Sequence, residues 1–299
     1  MKPAAIHVSN PPLGILLMVV GILLFALNDT MGKWLVATYT VGQVLLVRSA
    51  AALVVLSPAV ARAGWRSMFA VERPTVQVLR VAVSSAEVYL FYFGVMSLPL
   101  ADAMTYWMAA PIYVAALSPL FLGEHVGWRR WTAIFIGFCG VLVALQPSSA
   151  TLSPAAIVSI GGSLAFAGML ITSRMLRGTP DVALVFWQMV GAGLLGLVTA
   201  PFGWVPISAF DLSLLALLGV VAMMAHVCVN RALKYGDAAT VVPFQYTMLF
   251  WAVVFGWLVF GDVPQIHVLI GAAIIVGAGL FIFFREQKLK KAPPEVMEV

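Results

Sequence analysis

The sequence predicts an all-α polytopic membrane protein with ten transmembrane helices, built as two inverted five-helix repeats with both termini in the cytoplasm. Three observations predict it: too little charge for a water-facing globule, apolar stretches of spanning length along the whole chain, and basic residues confined to alternate connections. Of the 299 residues, 62% are hydrophobic and only 10% are charged, with a mean hydropathy of +1.02. A soluble domain carries about a quarter of its residues as charges, so most of this surface must meet lipid. The net charge of +5 points to membrane topology and not to nucleic acid, because basic residues gather on one side of a bilayer.

The first apolar run, 13–32, has full spanning length and no small-residue cleavage site after it, which predicts an uncleaved helix. The remaining spans are expected at 41–60, 75–97, 101–122, 127–146, 153–173, 182–202, 210–231, 237–260 and 264–284. Each is long enough for a hydrocarbon core of ~30 Å. The longest connection, 61–74, has room for an interfacial turn and none can hold a soluble domain. With the N-terminus inside, Lys2, Arg62, Arg66, Arg73, Arg80, Arg129, Arg130, Arg174, Arg177, Arg231, Lys234 and the tail cations all fall on the cytoplasmic side. Of the 17 basic residues only Lys33 is expected at an outer end and only Arg48 within the membrane. That alternation requires an even number of spans.

The halves match in order. Phe25–Leu35 (FALNDTMGKWL) parallels Phe166–Leu176 (FAGMLITSRML), which aligns Lys33 with Arg174. The second helices end in Ser57-Pro58 and Ala200-Pro201. The turn SLPLADA at 97–103 parallels ALKYGDA at 232–238, and Gly123-Glu124 parallels Gly261-Asp262. Residues 1–150 are therefore expected as the first repeat, 151–285 as the second, and 286–299 as a disordered cytoplasmic tail. A five-helix unit is odd, so its second copy enters the membrane upside down, and inverted repeats are typical of secondary transporters.

The five-plus-five plan, the GE-x-V and GD-x-P signatures after helices four and nine, and the A-x-x-x-x-DA turn resemble the drug/metabolite transporter superfamily. More narrowly, the chain is similar to its EamA-type exporters, among them amino-acid and aromatic amino-acid exporters. The resemblance covers essentially the whole chain. It implies a central cavity lined by helices 1, 3, 4, 6, 8 and 9, with helices 5 and 10 peripheral and helices 2 and 7 bracing the halves.

Ionisable groups within a membrane are costly and mark functional positions. Asp29 and Arg48 lie at similar depth on antiparallel helices, which predicts a buried ion pair acting as a gate or clamp; Lys33, one turn on, is the alternative partner for Asp29. Glu87, midway along helix 3 with no partner on its own helix, is the candidate proton carrier or anchor for a substrate amine. Its alternative is a carboxylate bonded to a neighbouring helix. His226 titrates near neutral pH when unperturbed, and packing is its alternative role. Asp102 and Asp237 are expected to cap helices 4 and 9, with Glu124 and Asp262 in similar positions at the next turns. Tyr89, Tyr106, Trp107, Tyr113, Gln245 and Tyr246 are the expected cavity lining, on helices opened by Pro111 and Pro243. Trp65, Trp128, Trp131 and Trp204 fit an interfacial belt.

Cys139 and Cys228 sit in apolar runs as packing residues, and no spacing suits a metal. Gly161-Gly162-Ser163 has no base to activate the serine, so no catalytic residue is assigned and the chain is not expected to be an enzyme. No phosphate-binding G-x-x-x-x-G-K-[ST] occurs and no cofactor is implied. A channel would assemble its filter from several subunits. The expectation is an inner (plasma) membrane exporter of small amphipathic metabolites, amino acids first, with a proton as the candidate coupling ion. Drugs or nucleotide-linked metabolites are the alternative substrates.

Overall fold

A computed structural model describes residues 10–71, 73–123, 127–145, 153–176, 178–235 and 242–291. The described residues are mostly helical, with no strand among them. They form α1 (Pro11–Val36), α2 (Val41–Ala63), α3 (Pro74–Val95), α4 (Leu100–Trp107), α5 (Ala110–Leu122), α6 (Trp128–Leu145), α7 (Pro154–Met175), α8 (Asp181–Thr199), α9 (Ala209–Tyr235), α10 (Thr247–Phe255) and α11 (Ile266–Lys291). Short 3-10 turns cover Trp65–Met68 and Val242–Tyr246, and a π turn, Gly256–Phe260, ends α10.

Local chemistry sets many of the boundaries. Asn10 accepts from the Leu13 N–H at 3.2 Å ahead of the prolines that open α1. Thr40 and Gln43 form a reciprocal capping box at α2. Ser153 caps α7 before Pro154. Gly123 and Gly261, at φ 67° and 70°, stop α5 and the π turn in the left-handed region that glycine tolerates best. The hydrogen bond from the Tyr39 hydroxyl to Asp211, 2.6 Å, staples the α1–α2 turn to α9 and holds the phenol above its ordinary pKa of 10.0.

Among the described residues seven helices are long and apolar enough to span a membrane alone, and the α4–α5 pair, bent by 48°, brings the number to eight. The stretches expected at 127–146 and 237–260 are shorter apolar helices, Trp131–Ala144 and Phe244–Phe260. Pro243 falls in the 3-10 turn and Pro111 follows the α4–α5 break, so both helices lose regular geometry where a proline removes a donor. Two expected ends move. α2 runs past Ser57-Pro58 to Ala63, because the Ser57 hydroxyl donates at 2.7 Å to the Val54 carbonyl that Pro58 leaves unbonded. α11 continues to Lys291, beyond the Glu286 expected to begin the tail.

The heaviest packing is between halves: α1 on α9, α3 on α7, α2 on α8 and α6 on α11. Exchanging α1 for α7, α2 for α8, α3 for α9, α4–α5 for α10 and α6 for α11 maps this set of pairs onto itself. It also maps the secondary pairs, α2 on α9 to α8 on α3, and α1 on α10 to α7 on α4–α5. The α6–α11 crossing is close because Gly140 faces the Gly271 carbonyl, and a Cβ at Gly271 would meet Ala144 and the Gly140 carbonyl at 2.6 Å. Large apolar side chains such as Val54, Leu120, Phe135, Phe202 and Phe210 lie outward and exposed, the surface a lipid solvent requires. Cys139 and Cys228 are free and half-buried.

Candidate functional site

Polar side chains converge in the interior where α1, α2, α3, α4, α7 and α9 meet. Arg48 of α2 is buried, and its Nη1 donates at 2.5 Å to the hydroxyl of Tyr92 on α3, with the guanidinium 5.5 Å from the ring centroid. The Tyr92 hydroxyl reaches Asn28 Oδ1 of α1 at a long 3.5 Å, and Asn28 Nδ2 donates at 2.7 Å to the Leu218 carbonyl of α9. Small residues make the convergence possible. Gly32 leaves space for the Tyr92 ring, and Gly219 lets α9 approach the backbone of Arg48.

A second limb begins just over one turn earlier on α3. Glu87 Oε1 accepts the indole N–H of Trp107 of α4 at 2.8 Å. The Trp107 ring lies on Gly162 of α7, where any Cβ would strike it. Phe91 stands edge-on to both Trp107 and Tyr92, at 5.2 and 5.4 Å between centroids, and so packs between the two limbs. The Glu87 carboxylate and the Arg48 guanidinium lie within electrostatic reach of each other.

The expected Asp29–Arg48 ion pair is not formed. Among the described residues Asp29 makes no hydrogen bond or ion pair, although Arg48 and Glu87 lie within its electrostatic reach. Arg48 has turned to Tyr92, and Lys33 does not serve Asp29 either. Lys33 Nζ instead pairs with Asp262 at 2.7 Å and sits 4.5 Å from the Phe260 ring centroid. This joins the end of α1 to the turn between the π turn and α11. Asp102 lies in the same neighbourhood, within electrostatic reach of Lys33, Asp262 and His267, with Oδ1 buried and unbonded. It does not cap α4, whose N-cap is Pro99, but it lies in that helix's first turn, at the positive end expected for it. Glu124 and Asp237 lie outside the described residues.

The other expected lining residues are scattered. His226 meets Phe25 edge-on at 4.8 Å and makes no hydrogen bond among the described residues. Tyr106 is buried near Asp102, Tyr113 lies beside Ser163 of α7, and the Tyr246 hydroxyl packs on Gly279 of α11. Tyr89 and Gln245 are half-buried, and no hydrogen bond or ring contact among the described residues ties them to the Glu87–Arg48 group. Two apolar grooves also contain none of the expected lining. One of about 450 Å³ runs between α6 and α11 past Trp128, Gly277 and Phe281. The other, of about 470 Å³, runs between α1 and α10 past Leu27, Met31, Trp34 and Phe255.

Asn28 and Arg80 were not singled out by the sequence. Asn28 could have been, as an amide beside Asp29 in an apolar run. Arg80, expected at the cytoplasmic side, is buried. Its Nε donates to Ser173 Oγ at 2.9 Å, Nη1 to the Leu184 carbonyl at 3.1 Å and Nη2 to Gln188 Oε1 at 3.3 Å, locking α3 to α7 and α8. No group of three metal-ligating side chains occurs among the described residues.

The interior just described belongs to a chain with recognisable relatives. A sequence model of the EamA-like transporter family matches it twice, over residues 12–146 and 153–284. The S-adenosylmethionine uptake transporter of Rickettsia felis is 26% identical over 262 residues, covering 87% of this chain and 89% of the relative. The riboflavin transporter of Rhizobium johnstonii is 27% identical over 293 residues, 97% of each chain. The pseudopaline exporter CntI of Pseudomonas aeruginosa is 27% identical over 273 residues, 89% of this chain and 94% of the relative. A solved crystal structure superposes with a TM-score of 0.63 at 18% identity, covering 92% of this chain and 98% of the other. The helical architecture and the double family match establish that the chain belongs to the EamA-like transporter family of the drug/metabolite transporter superfamily and is a multi-span membrane transporter.

Proposed function

We propose that the protein is a secondary transporter of the inner membrane that moves small amphipathic metabolites by alternating access through the interior bounded by Asp29, Arg48, Glu87, Tyr92 and Trp107. The observation that carries this reading is the polar group itself. Two carboxylates and a guanidinium lie in a bundle whose other interior residues are mostly apolar, and such groups are expensive in a membrane unless they serve a solute. Aromatic faces from Phe91, Tyr92 and Trp107 flank them, which suits a solute with a flat or apolar body and charged ends.

Ten spans, an inverted second repeat and cytoplasmic termini complete the proposal. Support comes from the self-mapping of the helix pairs, the family match to each half and the distribution of basic residues. In this scheme Lys33 and Asp262 hold the outer ends together. The relatives favour substrates larger than simple amino acids. S-adenosylmethionine and riboflavin each join a heteroaromatic body to polar groups, and amino acids are kept as the smaller alternative. No direction of net flux is assigned, because the relatives include both an uptake transporter and an exporter.

The test is uptake into liposomes carrying the purified protein, with radiolabelled S-adenosylmethionine, riboflavin and neutral amino acids offered singly. Saturable, protein-dependent uptake of at least one supports the reading. Folded protein that moves none of these classes contradicts the substrate assignment.

A further inference from the structure

The transporter reading gives Asp29, which has no bonded partner among the described residues, no specific task. Asp29 sits beyond the midpoint of α1, half-buried, in a helix that apart from Asn28 is apolar for several turns on its N-terminal side. Nearby candidate partners are engaged elsewhere: Arg48 by Tyr92, Lys33 by Asp262, and the Trp107 N–H by Glu87. Helical spacing of ~100° per residue turns Asp29 away from Leu27, Met31 and Trp34, which line the groove between α1 and α10. Asp29 therefore faces inward, and its electrostatic coupling to Arg48 and Glu87 agrees with that direction. Aromatic rings stand one turn to either side. Phe25 packs on His226, and Tyr92 fills the space left by Gly32.

We infer that Asp29 is the receptor for a positively charged group of the substrate, an ammonium or a sulfonium, so that the protein selects organic cations or zwitterions. The inference rests on the transporter reading and names the substrate class of that same interior. An inward carboxylate without a partner among the described residues is a cost that a bound cation removes, and the flanking rings add their quadrupoles to the same charge. Arg48 then remains free to meet an anionic end of a zwitterion through its unbonded guanidinium nitrogens. Arg48 from α2, Glu87 and Tyr92 from α3, and His226 from α9 are the other ionisable groups turned towards this region, and each stays in place in the test below.

The test compares binding of S-adenosylmethionine, a sulfonium and ammonium cation, with binding of uncharged riboflavin. Both are titrated calorimetrically into the purified full chain in detergent, for wild type, Asp29→Asn, Asp29→Ser and Asp29→Glu. The expected result is binding of S-adenosylmethionine by wild type and at least about tenfold weaker binding in the Asn and Ser variants, with the Glu variant closer to wild type. Any riboflavin affinity should be unchanged. Equal binding of the cation by wild type and by a folded, monodisperse Asp29→Asn or Asp29→Ser protein overturns the inference. So does wild type that binds riboflavin alone, an outcome that leaves the transporter reading standing. Failure of both neutral variants to fold assigns Asp29 a structural role and also overturns it. Wild type that neither binds nor transports either probe removes the substrate reading and the inference together.

Discussion

Trp107 and Glu87 show how much one hydrogen bond in the interior decides. The indole N–H supplies the only hydrogen bond that the Glu87 carboxylate receives among the described residues. Replacing Trp107 by Phe keeps an aromatic ring on Gly162 but leaves the carboxylate bare, at a cost of about 1–3 kcal/mol. The expected outcome is a lower melting temperature together with impaired transport, read by thermal unfolding in detergent and by liposome uptake. Tyr92→Phe is expected to act similarly at Arg48, because it removes the acceptor at 2.5 Å and the link to Asn28. At this scale the sequence marked out the interior charges better than it disclosed their partners. Asp29, Arg48 and Glu87 stood out as charges in apolar runs. That Arg48 would choose Tyr92 over Asp29 depends on side-chain direction around two packed helices, which residue spacing along either one does not contain. The contacts of Arg80 were not legible, because a position near a helix end can still turn inward.

The ion pair between Lys33 and Asp262 links two elements far apart in sequence, the end of α1 and the turn before α11. Both side chains are partly exposed, so its net contribution to stability is small, on the order of 0–1 kcal/mol. Its effect should therefore appear in transport more than in unfolding. Lys33→Asp or Asp262→Lys alone is expected to slow exchange, and the double charge swap to restore it; equal rates in all four proteins would deny the pair a role. By contrast, Gly271→Leu forces a side chain into the Gly140 backbone, and is expected to lower the melting temperature by parting α6 from α11. Element boundaries were legible wherever caps or glycines wrote them, as at Thr40, Ser153, Gly123 and Gly261. They were less legible at Ser57-Pro58, where a hydroxyl compensates for the proline. The aromatic lining expected on the fourth and ninth spans was only partly legible. Trp107 reaches Glu87, whereas Tyr246 packs on Gly279 of α11.

The whole molecule owes its membrane character to composition, and that was readable from hydropathy alone. Its paired packing was foreshadowed by the sequence matches between halves, since α1 on α9 and α7 on α3 are the same contact written twice. Orientation is a property of the whole chain and is tested at its end. A C-terminal green fluorescent protein fusion should fluoresce and a C-terminal alkaline phosphatase fusion should be inactive, as cytoplasmic termini require; active phosphatase would reverse the topology.

The central claim is that a solute passes through the interior where Glu87 and Trp107 meet. The most direct measurement is counterflow of radiolabelled S-adenosylmethionine or riboflavin in liposomes, comparing wild type with Glu87→Gln, which retains an acceptor for the indole N–H but loses the charge. The expected result is saturable exchange by wild type and loss of most of it in a folded Glu87→Gln protein. Full exchange by Glu87→Gln across the pH range, or transport that is unsaturable in wild type, would contradict the account.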